Sequence, residues 1–440
     1  MTKRTQIFLL LFIAGSVFLL PNFYGNNWKV VKQEYYEEWQ TRYDRLVIAR
    51  LVKTRQDGFL SAGGLLGIGD VDYWSSLSST HRHQYVTYLE GGKFESYFVY
   101  RSNPGFQGIL YGIPDRLMNI DSEQKILLFR AFTALASALV MGLIFSAFVF
   151  EFGFLAGILT LLFSAFSIWI VLPAGSIFWN LWASYMPFLA GMYLLANSTQ
   201  KGGYNARRIY VLLFAATLLK ILLSGFDMIT ASLIMTTVPF VFFSINEEWG
   251  WKTFIDRFIR IGLVISGATL TGLVILSAQI IANDGSFTSA INYVESRFGH
   301  HAAGNSNFYF DENIEATKIS AFEVTEKYLV MPAINVRLPG PDTQILYWQL
   351  MVLFVLSTVV YFVFRKRQEG YPRKAIALIV ATWYSLLAPL SWYILFRPHS
   401  IIHTHVNTMG WQMPFTLLGF ALCGYVVTEL LKKKLTNRPT

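Results

Sequence analysis

Eight apolar stretches, each near the length of a bilayer-spanning helix, recur along the chain at 7–21, 126–148, 153–173, 176–197, 260–283, 344–364, 375–396 and 410–431. A helix needs about 20 apolar residues to cross the hydrocarbon core. Lipid also forbids unpaired backbone groups, which leaves helices or closed barrels as the only spanning structures. Two shorter apolar runs, 209–223 and 227–245, add a helical pair around a turn at Ser224, Gly225, Phe226 and Asp227. The expected fold is therefore an all-α polytopic membrane protein with about ten transmembrane helices. Composition agrees, with 54% hydrophobic and only 14% charged residues.

Positive charge sets the expected orientation. Counting crossings from an inner N-terminus with Lys3 and Arg4 puts every basic cluster on one side. These are Lys201, Arg207 and Arg208; Lys252, Arg257 and Arg260; Arg365, Lys366, Arg367, Arg373 and Lys374; and Lys432, Lys433, Lys434 and Arg438. Both termini then face the cytoplasm of a bacterial inner membrane. The net charge of +9 comes mainly from these clusters and matches an anionic lipid surface, not nucleic acid. The exit from the first span, Leu19 to Asn22, lacks a small-residue cleavage site and reads as an uncleaved anchor. The single cysteine, Cys423, lies in the last span, so no disulfide framework is expected outside. No repeat or linker divides residues 1–440, which read as one membrane domain.

Two long segments, 22–124 and 285–343, are left on the outer face. In the first, Trp28, Val31, Tyr35, Trp39, Tyr43, Leu46, Val47 and Arg50 follow three-and-four spacing, the pattern of an amphipathic helix lying on the membrane. Glu34, Glu37 and Glu38 near its start and Arg42, Arg45, Arg50 and Lys53 near its end suit the helix dipole. The helix should stop near Asp57 and Gly58 and give way to a flexible run from Gly63 to Asp70, which lacks the Gly-Lys-Ser/Thr of a phosphate-binding loop. Tyr100 to Gly108 reads as a turn-rich return that could line a groove. The second segment mixes Arg297, His300, His301, Asp311, Glu312 and Lys327 with Gly and Asn, too polar for a core of its own.

Group transfer on this face has no access to cytosolic nucleotide sugars, so its donor would come from a membrane lipid. The layout resembles the GT-C superfamily of membrane glycosyltransferases. The resemblance covers the topology of most of the chain and rests on Tyr43 to Ile48, Arg55 to Gly58, Leu223 to Asp227, and the hairpin His403, Thr404, His405, Val406, Asn407, which look like segments of bacterial envelope proteins of this type. It implies a polyprenyl-phosphate sugar donor, a glycan or lipid-linked acceptor, and an acidic residue in the first outer segment. Many members carry two adjacent acids there, whereas Asp44 is followed by Arg45.

Glycosyl transfer requires a carboxylate to take the acceptor proton and cationic or metal groups to stabilise the departing phosphate. Asp44 and Asp227 are the catalytic candidates. Asp44 either serves as base or pairs with Arg45 or Lys29, and Asp57 serves as a contact or as half of an Asp-Gly turn. Lys220 either meets a phosphate or reaches back to the interface. Arg397, His399, His403, His405, Asn407 and Trp411 complete the substrate-binding set; Trp411 and Trp392 read as interface aromatics, one of which could stack on a sugar ring. A helical hairpin would align His399 with His403, whereas an extended one would align His403 with His405. A divalent cation, Mg or Mn, is compatible with either. The alternatives are an O-antigen polymerase or ligase, an O-acyltransferase, and a transporter of lipid-linked glycans, for which ionisable groups near the midplane would be expected.

Overall fold

A computed structural model describes residues 2–70, 77–201, 203–303, 319–336, 343–364 and 372–436; for 77–80, 199–201, 297–303 and 434–436 it describes the backbone alone. Arg365, Lys366, Arg367, Arg438, Asp311 and Glu312 therefore lie outside the described residues, as do the side chains of Lys201, Arg297, His300, His301 and Lys434.

The chain is helical almost throughout. In order it forms α1 Lys3–Gly25, α2 Gln33–Asp57, α3 Leu77–Leu89, α4 Gln107–Leu117, α5 Ser122–Phe152, α6 Phe154–Phe166, α7 Ile168–Ala174, α8 Leu181–Lys201, α9 Ala206–Ser224 and α10 Ile229–Asn246. It continues with α11 Trp251–Asp284, α12 Phe287–Ala303, α13 Ala321–Leu329, α14 Tyr347–Phe364, α15 Arg373–Ser385, α16 Leu387–Leu395, α17 Arg397–Ile402, α18 Thr404–Asn407 and α19 Phe415–Thr436. Among the described residues, seven helices are long and apolar enough to cross a membrane: α1, α5, α10, α11, α14, the α15–α16 unit and α19. The protein is thus a multi-pass, all-α membrane protein. Leu10, Ile13 and Val17 on α1, Leu263, Leu270 and Val274 on α11, and Leu356, Val359 and Val363 on α14 are exposed. Such apolar surface is stable only against lipid or another apolar partner.

Inside this perimeter α5, α6, α19, α15, α10 and α8 pack in a closed circuit, with α1 on the outside of α5, and α9 and then α11 beyond α8. Small residues bring helices together: a side chain at Gly424 of α19 would meet the backbone of Ala156 on α6 at 2.5 Å. The pair α9 and α10 is joined by a turn where expected, but α10 packs on α8, α15 and α16 instead of lying along α9. The window 153–173 is not one helix. It breaks at Ser167 into α6 and the fully buried α7, and the buried stretch 175–180 then leads into α8. Irregular backbone at this depth is tolerated because protein surrounds it.

Expectations for the outer segments need two corrections. First, α2 is amphipathic only over its first turns, with Tyr36, Trp39 and Gln40 inward and Tyr35 outward; from Asp44 to Val52 every residue is buried. It is wrapped by α3, α4, α7 and a strand, and a helix covered on all sides is an interior helix, not a surface one. Second, the glycine-rich run is ordered. A 3-10 turn, Ser61–Gly64, precedes β1 Leu66–Gly69, which pairs antiparallel with β2 Tyr97–Tyr100. Arg50 holds this loop by donating to the carbonyls of Ser61 (2.6 Å), Phe59 (2.7 Å) and Gly58 (3.1 Å). Gln84 adds a reciprocal pair of bonds to the backbone of Gly69. The second segment likewise docks onto the bundle instead of forming its own core. Its hairpin, β3 Pro332–Val336 with β4 Thr343–Leu346, accepts from Trp169 at Pro332 O (2.8 Å), and Asn335 donates to Val30 O (2.7 Å).

Candidate functional site

The two catalytic candidates stand in opposite environments. Asp44 points into the protein and is 0% exposed. Its Oδ2 accepts from Arg130 Nε at 3.0 Å, and its Oδ1 accepts from Ser176 Oγ at 2.7 Å and from the Phe178 N–H at 3.3 Å. Arg130 in turn donates to the Tyr85 hydroxyl at 2.9 Å. The expected partner, Arg45 or Lys29, is thus replaced by an arginine of α5. Burial pushes the Asp44 carboxyl above its ordinary value, while Arg130 and the three donors pull it down.

Asp227 follows α9 in the turn that carries two left-handed residues, Gly225 (φ 66°) and Met228 (φ 52°). Lys220, one turn before the helix end, donates its ammonium to the carbonyls of Gly225 (2.9 Å) and Asp227 (2.8 Å). It is buried as the clamp of this turn, so two of its three donors are engaged by backbone. The turn-rich segment after β2 braces the same place: the Phe106 N–H donates to Leu222 O at 3.3 Å, and the Gln107 amide bridges Phe178 O and Leu223 O. Asp227 lines a crevice with Trp169, Trp179, Tyr185, Met228 and Gln412. Its volume is about 20 Å³, room for about one water. The Trp179 indole N–H on that wall is buried without an acceptor among the described residues.

The cationic side of α2 meets this region. Tyr43 packs against Trp39, Phe178 and Trp179, with ring centroids 4.6, 6.1 and 5.5 Å away. Its hydroxyl is held well above the usual tyrosine range, first by burial; Arg42 opposes this, and Asp227 adds to it. Arg42 also acts on two histidines. His81 of α3 is lowered to about 4 by burial and then by Arg45 and Arg42, and its Nε2 has no hydrogen-bond partner among the described residues. His405 is lowered by burial and by Arg42. Arg42 thus stands within electrostatic reach of both the first outer segment and the histidine hairpin.

The hairpin combines both expected geometries. Helices α17 and α18 meet at His403, whose φ of −107° and ψ of 43° break the helix. His399 and His403 approach to 4.7 Å between ring centroids, and His403 and His405 to 5.9 Å. Asn407 is buried and donates its amide to the His399 carbonyl at 3.3 Å, bracing the fold of the hairpin. Trp411 is not at the surface: it is 1% exposed, stacked on Tyr347 at 5.2 Å and packed against Tyr393 and Phe415. Trp392 is also buried. Arg397 is exposed, and Asp57 is an exposed helix-end partner of Lys53 at 2.6 Å. Among the described residues no group of three or more His, Cys, Asp or Glu is placed to hold a metal.

Arg42, His81, Arg130, Ser176 and Trp179 are the participants that sequence reasoning passed over. A signal existed for Arg130, a lone arginine within an apolar window. Comparison with protein-family models, with curated proteins and with solved structures finds no match to this chain.

Proposed function

We propose that the protein is a membrane glycosyltransferase of GT-C-like organisation, with ten crossings, both termini cytoplasmic, and a site on the outer face that transfers a sugar from a polyprenyl-phosphate donor to an envelope glycan or lipid-linked acceptor. The observation that carries this reading is the convergence, at one end of the bundle, of a crevice carboxylate, Asp227, with aromatic walls and the cationic flank of α2. The three crossings beyond the seven apolar helices are α6 with α7, α8 and α9.

In this reading Asp227, not Asp44, takes the acceptor proton, since Asp227 lines the crevice whereas Asp44 is fully enclosed by protein. Arg42 and Arg45 balance the charge of the departing lipid phosphate. The Trp179 face and indole N–H offer the stacking and hydrogen bonding that sugars use. A crevice of one water does not hold a hexose, so substrate enters as the Met409–Met413 wall and the Asp227 turn separate. A divalent cation remains a candidate partner of Asp227 and the donor phosphate.

Mass spectrometry of envelope glycans and lipid-linked intermediates tests this in a deletion strain complemented with wild type or with Asp227→Asn. The expected result is loss of one defined sugar, restored by wild type alone. Glycans and intermediates unchanged by the deletion would reject the reading.

A further inference from the structure

At the opposite end of α9 from Asp227, the start of α9 and the start of α11 border a second, largely open cleft, of about 460 Å³. Tyr204, Lys252, Asp256, Arg257 and Arg260 line it. Three cations thus face one carboxylate, and that carboxylate is engaged: Asp256 receives Arg260 Nε at 2.8 Å. The neighbouring acids are engaged as well, Glu247 by the Trp249 indole N–H at 3.0 Å and Glu248 by Arg373.

Arg257 is the built element of this cleft. Its guanidinium lies 3.7 Å from the centroid of Tyr204 and 4.1 Å from that of Trp249. The two rings stand 78° to one another with centroids 6.2 Å apart, so they hold the group from two adjacent directions and leave its remaining N–H edge for an acceptor. Among the described residues it makes no hydrogen bond or ion pair. A planar, oriented guanidinium with open donors matches the oxygens of a phosphate.

The rim of the cleft identifies the source of that phosphate. On the adjoining face of α11, Trp251, Ile255, Ile259 and Leu263 recur at four-residue spacing, with Trp251 and Leu263 each 69% exposed. This is a lipid-facing stripe with a tryptophan at its end, the position of an interface anchor. The cleft therefore opens beside acyl chains, at headgroup depth.

We propose that this cleft is a specific site for an anionic phospholipid, whose phosphate is held by Arg257 and Lys252 while its chains lie along the α11 stripe. The site is independent of the chemistry assigned to the other end of the bundle.

Native mass spectrometry of the full chain released from mixed phosphatidylglycerol and phosphatidylcholine nanodiscs is the test. Wild type should retain phosphatidylglycerol selectively. Arg257→Gln, which removes the charge but keeps much of the stem, should lower that occupancy about tenfold, the effect of one charge-assisted bond. Lys252→Gln, on the exposed rim and outside the aromatic clamp, should lower it by about threefold with an unchanged Tm. Equal occupancy in wild type and both variants, or equal retention of phosphatidylcholine, would overturn the site. Displacement of the lipid by millimolar inorganic phosphate would overturn the lipid assignment in favour of a free anion.

Discussion

Asp44 and Asp227 are both acids at the same end of the molecule, and the proposed function rests on how their surroundings differ. Asp44 sits in the enclosed half of α2, with each oxygen occupied and an arginine of α5 as counter-ion. Asp227 sits in a turn whose backbone is clamped by Lys220 and whose side chain lines a crevice. A buried ion pair gives little net stability, yet losing one partner is costly. Acidic character in the first outer segment therefore marks a structural joint between α2, α5 and the 175–180 stretch, and the proposed chemistry is assigned to an acid much further along the chain.

The comparison breaks most sharply on Asp227→Asn. Removing a general base lowers transfer by about 10²- to 10⁴-fold, while Tm should fall less than in Asp44→Asn, because buried Lys220 loses the nearby charge of Asp227 but keeps its two carbonyl acceptors. Transfer assayed on reconstituted protein beside a thermal melt checks both parts. Full transfer by the variant would remove Asp227 from the chemistry.

Asp44→Asn should do the reverse. Leaving Arg130 without its counter-ion costs about 3 kcal/mol, read as a lower Tm and weaker expression. Because the penalty is the orphaned charge, the double change Asp44→Asn with Arg130→Gln should regain part of that Tm. A variant Asp44→Asn that melts like wild type but transfers no sugar would exchange the roles of the two acids.

Why the two acids were hard to rank in advance is visible in the residues themselves. Most of the apolar windows, the turn at Ser224 to Asp227 and the end of α2 at Asp57 and Gly58 are legible, because local periodicity and turn chemistry decide them, whereas the break of the 153–173 window at Ser167 is not. Nor are the partners of Asp44. Arg130 is 86 positions away and Ser176 is 132, and nothing in the spacing of α2 announces that its second half is enclosed. Trp411 misleads for a related reason: a tryptophan near a span end reads as an interface residue until Tyr347 and Tyr393 close over it. The glycine-rich run reads as flexible because the groups that order it, Arg50 and Gln84, come from other elements.

A smaller effect sharpens the claim that the Asp227 turn is held in shape. Gly225 combines φ 66° with ψ −158°, a region nearly closed to other residues, and a side chain there would also meet Asn103 at 3.1 Å. Gly225→Ala should cost about 2 kcal/mol and reduce transfer, although it adds only a methyl group. An unchanged melt and rate would show that the turn tolerates movement and that its clamp is not a positioning device.

The smallest effect concerns the cationic flank that Arg42 presents to the first outer segment and the histidine hairpin. In the unfolded chain His81 and His405 take up protons near pH 6.5, whereas in the folded protein His81 stays neutral down to about 4, and His405 is shifted in the same direction. Between those limits the unfolded chain binds more protons, so stability falls as pH drops from about 6.5 towards about 4 and levels off below. Tm measured at neutral pH and again near pH 5 should therefore decline. In Arg42→Gln the decline should be shallower, because the charge that helps hold both imidazoles neutral is gone. If the two slopes coincide, burial and Arg45 account for the shifts, and Arg42 does not link the first outer segment to the hairpin electrostatically.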